Sequence, residues 1–123
     1  MFDHVTFTVS DYARSKEFYS RALEPLGISL LTEPEGWGAG FGEGDDAFFW
    51  IGSRGEVTRG QLHVAFAADS RDKVDAFHAA ALAAGGRDNG APGLRTIYHP
   101  DYYGAFVLDP DGHNIEAVCH LPA

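Results

Sequence analysis

His4-Val5-Thr6-Phe7-Thr8-Val9 and His63-Val64-Ala65-Phe66-Ala67 open two segments, residues 4–27 and 63–86, that align without a gap at a constant offset of 59. Identities run through both segments: His4/His63, Val5/Val64, Phe7/Phe66, Phe18/Phe77, Ala22/Ala81, Leu23/Leu82 and Gly27/Gly86. Seven matches in twenty-four positions exceed the roughly two that ordinary composition yields. One repeat of this length marks a duplicated supersecondary module, because a solenoid needs three or more units.

Each segment reads as a strand followed by a helix. In residues 4–9, Val5, Phe7 and Val9 alternate with His4, Thr6 and Thr8, the pattern of a half-buried strand. Ser10 or Asp11 caps the next helix, whose apolar stripe is Phe18, Tyr19, Ala22, Leu23 and Leu26, and Gly27 supplies a left-handed stop. Three short strands follow near residues 28–33, 37–41 and 47–52. The second copy repeats this with a strand over 62–67, a cap at Asp69 or Ser70, and a stripe of Val74, Phe77, Ala81 and Leu82. Residues 86–101 read as a long loop holding a weak strand, before closing strands over 102–108 and 114–119. The expected architecture is α+β in a single domain: module 1 over about 1–52, a glycine- and charge-rich linker over 53–60, and module 2 over about 61–120.

Composition narrows the function. Eighteen acidic against nine basic residues give a net charge of −9, which argues against nucleic acid and against anionic membrane surfaces. No apolar run approaches the roughly 18 residues of a membrane span, and the first residues show no secretory pattern. One cysteine, Cys119, excludes an internal disulfide and suits a cytoplasmic setting. A small-molecule partner is the expectation that remains.

Strand parity locates the polar candidates. With the Val/Phe sets facing the helices, His4 and His63 face the opposite side of the sheet. On the last strand Ile115 and Ala117 suit the helix side, so Glu116 joins the histidines. Two imidazoles and one carboxylate form a set that holds a divalent ion and leaves coordination positions open. The plain alternative is two satisfied core histidines and a rim carboxylate. An unpaired carboxylate facing inward costs several kcal/mol, which favours the metal set.

The duplicated His-strand-helix modules, together with Asp109-Pro110-Asp111-Gly112-His113-Asn114-Ile115-Glu116, resemble the vicinal oxygen chelate superfamily. Its members include glyoxalase I, bleomycin resistance proteins, fosfomycin resistance enzymes and extradiol dioxygenases. The resemblance covers essentially the whole chain. It implies two βαβββ modules forming a cup-shaped mixed sheet, completed in a homodimer. It also implies His4, His63 and Glu116 as ligands of a divalent ion (Zn, Mn, Ni, Mg or Fe), with His4 reaching the other two across the dimer interface. The expected activity is isomerase, lyase or group-addition chemistry on a small substrate with vicinal oxygens, through a metal-stabilised oxyanion.

Departures from the named members refine this. Aligning the closing strands of the two halves places Trp50 opposite Glu116, at the position where glyoxalase I carries a second glutamate, so the glutathione-dependent isomerisation is disfavoured. Thr6, in His4-Val5-Thr6, echoes the first-strand His-x-Thr of fosfomycin enzymes, yet Arg95 is the one cation in an expected cavity loop. Phe48 and Trp50 share inward parity and are candidate substrate-binding walls, with Thr6 and Arg95 beside them; the plain alternative is ordinary core and a solvated arginine. In Tyr98-His99-Pro100-Asp101-Tyr102-Tyr103, His99 and Tyr103 are candidates for the acid–base role that tryptophan cannot fill; the alternative is a turn packed by its own aromatics. Two other readings stand beside the metalloenzyme. One is a bleomycin-resistance-like protein that binds a drug or metabolite without catalysis, and the other is a small extradiol-type dioxygenase using Fe(II).

Overall fold

A computed structural model describes residues 1–123. Module 1 comprises β1 (Val5–Thr8), α1 (Tyr12–Ala22), a short 3-10 turn (Glu24–Leu26), β2 (Ser29–Thr32), β3 (Ala39–Glu43) and β4 (Asp46–Gly52). Module 2 comprises β5 (His63–Ala67), α2 (Arg71–Ala83), β6 (Arg87–Leu94), β7 (Tyr103–Leu108) and β8 (Asn114–Cys119). Each module is βαβββ and forms its own four-stranded mixed sheet, ordered β1-β4-β3-β2 and β5-β8-β7-β6. In both, the first strand runs parallel to the last and the remaining pairs are antiparallel. No helix is long and apolar enough to cross a membrane.

Local chemistry sets the helix ends. The Asp11 carboxylate accepts the Arg14 N–H at 3.1 Å and starts α1, and the Ser70 hydroxyl accepts the Lys73 N–H at 3.2 Å and starts α2. Gly27, at φ +79°, ends the 3-10 turn in a left-handed conformation that a side chain disfavours. The stripe of α1 is fully buried as its spacing predicts, as are Val74, Phe77 and Ala81 of α2. Leu82 differs: it follows Ala81 on the helix and is turned to solvent.

The core lies on the helix side of the two sheets. Phe7, Phe41, Phe49 and Ile51 of module 1 and Phe66, Val107, Ile115 and Ala117 of module 2 pack there against the helices. Edge-on ring contacts run from Tyr19 to Phe49 (4.9 Å) and from Phe49 to Phe66 (5.1 Å), so the aromatic cluster crosses from one module to the other.

The turn before β8 locks the modules together. Asp109, itself buried, accepts the backbone N–H groups of Asp111 (2.9 Å) and His113 (2.8 Å) and the Tyr19 hydroxyl from α1. His113 is buried against Phe7, with Nε2 at 2.7 Å from the Thr58 carbonyl and Nδ1 at 3.2 Å from Asp109. Asp111 accepts the Ser10 N–H at 3.1 Å. Burial, then the Asp109 carboxylate, raises Tyr19 well above the ordinary phenol value of 10.0.

The eight-residue β6 lies where the sequence reads as a long loop holding a weak strand. Its residues, Arg-Asp-Asn-Gly-Ala-Pro-Gly-Leu, lack apolar alternation, and its pairing with β7 breaks register on both sides of Gly90. Pro92 is tolerated because β6 is an edge strand.

Candidate functional site

Glu116 sits mid-way along β8, one of the inner strands of its sheet, on the face turned away from the helices. Its neighbours are Ala65 on β5 and Phe106 on β7. Only 1% of it is exposed, so an ionised carboxylate here needs donors. It has two. His63 Nε2 lies 2.8 Å from Oε1, and the Tyr102 hydroxyl donates to Oε2. His63, at the start of β5, keeps 47% of its side chain exposed, so the pair has one open side and one closed side. Gly104 of β7 makes the room: a Cβ there would stand 3.2 Å from Glu116 Oε2 and 3.2 Å from the Tyr102 ring. Burial, followed by the Glu116 contact, raises Tyr102 well above the ordinary phenol range, keeping the hydroxyl a donor.

Module 1 carries the counterpart face. Thr6 pairs with Trp50 as Ala65 pairs with Glu116, so Trp50 occupies the position in β4 that Glu116 occupies in β8. The indole lies flat over Gly40, where a Cβ would come within 2.8 Å of it, and its N–H donates to the Ala47 carbonyl at 3.2 Å. No carboxylate takes that place.

His4 precedes β1, is half exposed, and holds Asp3 at 2.7 Å through Nδ1. It and His63 both line a cleft of about 580 Å³ between the modules, whose walls include Phe48, Phe49 and Val64. Phe48 lines this cleft, whereas Trp50, Thr6 and Glu116 lie outside its lining. Within one chain no three His, Cys, Asp or Glu side chains converge on a common ion position, so His4 does not join His63 and Glu116 there.

The remaining candidates separate. Arg95 stacks on Phe106, 5.4 Å from the ring centroid, and donates to the carbonyls of Gly93 (2.8 Å) and Ala91 (2.7 Å), which commits it to the β6 backbone. Tyr103 has helix-side parity, and its hydroxyl donates to Asp75 of α2 at 2.6 Å, remote from Glu116. Hydrogen bonding to Asp75, then burial, raises its pKa. His99 accepts the Asp101 N–H at 3.0 Å on Nδ1 and packs edge-on to His120 (5.5 Å), in a turn made by its own aromatics. The residue that touches Glu116 is Tyr102, one position from the one expected. Parity carried back from Gly104 and Phe106 is the signal that finds it.

Two βαβββ modules, each with its own mixed four-stranded sheet, define a glyoxalase-like fold. The chain belongs to the glyoxalase/bleomycin resistance protein/dioxygenase superfamily, whose model matches residues 1–117. Among solved structures, it is similar to a glyoxalase/bleomycin resistance protein from Albidiferax ferrireducens, with 35% identity over 99% of each chain and a TM-score of 0.81. A glyoxalase/bleomycin resistance protein/dioxygenase family enzyme from Burkholderia phytofirmans shares the fold at 20% identity over 97% of this chain and 98% of that one, TM-score 0.72. Glyoxalase I from Zea mays matches over 95% of this chain but 43% of its own, at 24% identity and a TM-score of 0.69. No functionally curated protein matches the chain.

Proposed function

We propose that this chain is a metal-dependent enzyme of the superfamily, in which His63 and Glu116, with His4 from a second copy, hold one divalent ion. The observation that carries the reading is the 2.8 Å between His63 Nε2 and Glu116 Oε1. Two ligand atoms about 2.1 Å from one ion, at a right angle, stand about 3 Å apart, so the pair fits an ion with little movement. The donor set, two imidazoles and a carboxylate, suits Zn, Mn, Ni, Mg or Fe and discriminates weakly among them. When bound, such an ion supplies Lewis acidity to the vicinal oxygens of a small organic substrate.

The chain's own residues do the rest. Glu116 is held by the Tyr102 and His63 contacts and offers one oxygen on the open side. Phe48 and Val64 line the cleft beside His63 and give it an apolar wall. Trp50, in place of a second carboxylate, cannot accept a proton, which supports lyase or group-addition chemistry over the glyoxalase I isomerisation. A homodimer brings the half-exposed His4 of one copy to the His63–Glu116 pair of the other.

Stoichiometric Zn2+, Mn2+, Ni2+ or Fe2+ after dialysis and gel filtration, lost in His63→Ala, is the expected result of elemental analysis. Wild-type protein that carries no ion under any loading condition would overturn it. A second reading, ligand binding without catalysis, is favoured by the apolar cleft and by Trp50 lying flat on Gly40. It predicts tight binding of a cationic aromatic drug by protein stripped of metal.

A further inference from the structure

We infer that Tyr102 is a positioning residue for Glu116: it occupies the second carboxylate oxygen and leaves Oε1 alone to face the ion beside His63. This rests on the metal reading above and assigns a residue that the ligand set does not contain.

Three observations support it. First, the Tyr102 hydroxyl donates to Oε2 while His63 holds Oε1, so the two oxygens have different neighbours. Second, the tyrosine is held from all sides. Its backbone N–H donates to the His99 carbonyl (3.1 Å), its carbonyl accepts from the Arg95 N–H (2.7 Å), and its ring packs on Tyr98 (5.0 Å) and His120 (5.2 Å). A side chain so fixed at both ends sets the carboxylate plane rather than following it. Third, Gly104 leaves the space in which the two groups meet, since a methyl group there would press on both. The turn over residues 95–102 thus presents one hydroxyl to one buried oxygen.

Removing that hydroxyl frees Oε2 to swing toward the ion and removes the contact that orients the carboxylate. Partners of this kind are worth about 10- to 100-fold in metal affinity. The test is Co2+ titration of the metal-free full-length protein, followed by calorimetry and by visible absorption, for wild type, Tyr102→Phe and Tyr12→Phe. Tyr12 donates to Glu33 on the outer surface and serves as the control. Tyr102→Phe is expected to bind at least tenfold more weakly. Its Co2+ bands should also be fainter, because a two-oxygen carboxylate raises the coordination number; Tyr12→Phe should match wild type. Gly104→Ala, which crowds the contact while keeping the hydroxyl, should move both readouts the same way, and it stands in if Tyr102→Phe melts below the assay temperature. Affinity and spectrum unchanged in a folded Tyr102→Phe or Gly104→Ala protein would overturn the inference and leave the metal site intact. A wild-type protein that takes up no Co2+ overturns the metal reading and this inference together.

Discussion

Glu116→Gln changes a charge without changing volume, and the structure says what that does. The side chain is 1% exposed and has one partner per oxygen. In the variant the amide oxygen still accepts from Tyr102, and the amide N–H₂ faces His63 Nε2, which accepts when the other ring nitrogen carries the proton. Each contact drops from charge-assisted to neutral, a loss of about 1 kcal/mol apiece. Against that, a neutral amide escapes the several-kcal/mol desolvation penalty of a buried carboxylate. The two effects nearly cancel, so stability should stay within about 1 kcal/mol of wild type, a melting shift of a few degrees. Ion affinity has no such offset, because the anionic ligand is gone, and should fall by about 100-fold, or about 2.7 kcal/mol. Urea unfolding followed by tryptophan fluorescence, paired with Zn2+ titration of the same samples, measures both. A variant that loses about 4 kcal/mol or more, the range of a broken buried pair, while binding metal like wild type would show Glu116 to be a structural residue and refute the reasoning.

Other perturbations probe the frame around the site. His113→Ala removes the buried contacts to Asp109, Thr58 and Phe7 that join the modules; it should cost about 3–5 kcal/mol in chemical denaturation, and a cost under about 1 kcal/mol would deny the turn its locking role. Gly40→Ala places a methyl group within 2.8 Å of the Trp50 ring; the displaced indole should shift its emission and cost about 1–3 kcal/mol, whereas an unchanged spectrum would mean that the ring does not lie on Gly40. Tyr19 keeps its proton in the folded state above pH 10.0, where the unfolded chain releases it. Stability from this group is therefore complete below about pH 10 and is lost as pH rises further. Tyr19→Phe should flatten the fall in melting temperature between about pH 9 and 11, and parallel curves for variant and wild type would contradict the assignment.

The duplication at offset 59 foretells the two modules; aligning their closing strands, where the offset has grown to 66, gives the equivalence of Trp50 and Glu116, which strand register matches. Capping chemistry and apolar spacing place both helices. What stays hidden has physical reasons. β6 is held by its neighbour's backbone, not by its own apolar pattern, so Gly90, Pro92 and Gly93 read as loop. Asp109-Pro110-Asp111-Gly112-His113 carries the family resemblance, but within the fold it grips Ser10, Tyr19 and Thr58, partners far away in sequence that no local pattern reveals. Tyr102 is reachable in principle. Parity counted from β7 assigns Tyr103 to the helices and Tyr102 to Glu116. His4 shares its strand parity with His63, yet within one chain it does not converge with His63 and Glu116 on a common position.

Crystals grown with Co2+ and measured for anomalous scattering would settle whether one ion bridges two copies of the chain. The prediction is one peak per chain, about 2.0–2.2 Å from both His63 Nε2 and Glu116 Oε1, with a His4 imidazole from the neighbouring copy completing the set. A map with no peak at that position, and His63 still hydrogen-bonded directly to Glu116, would contradict it.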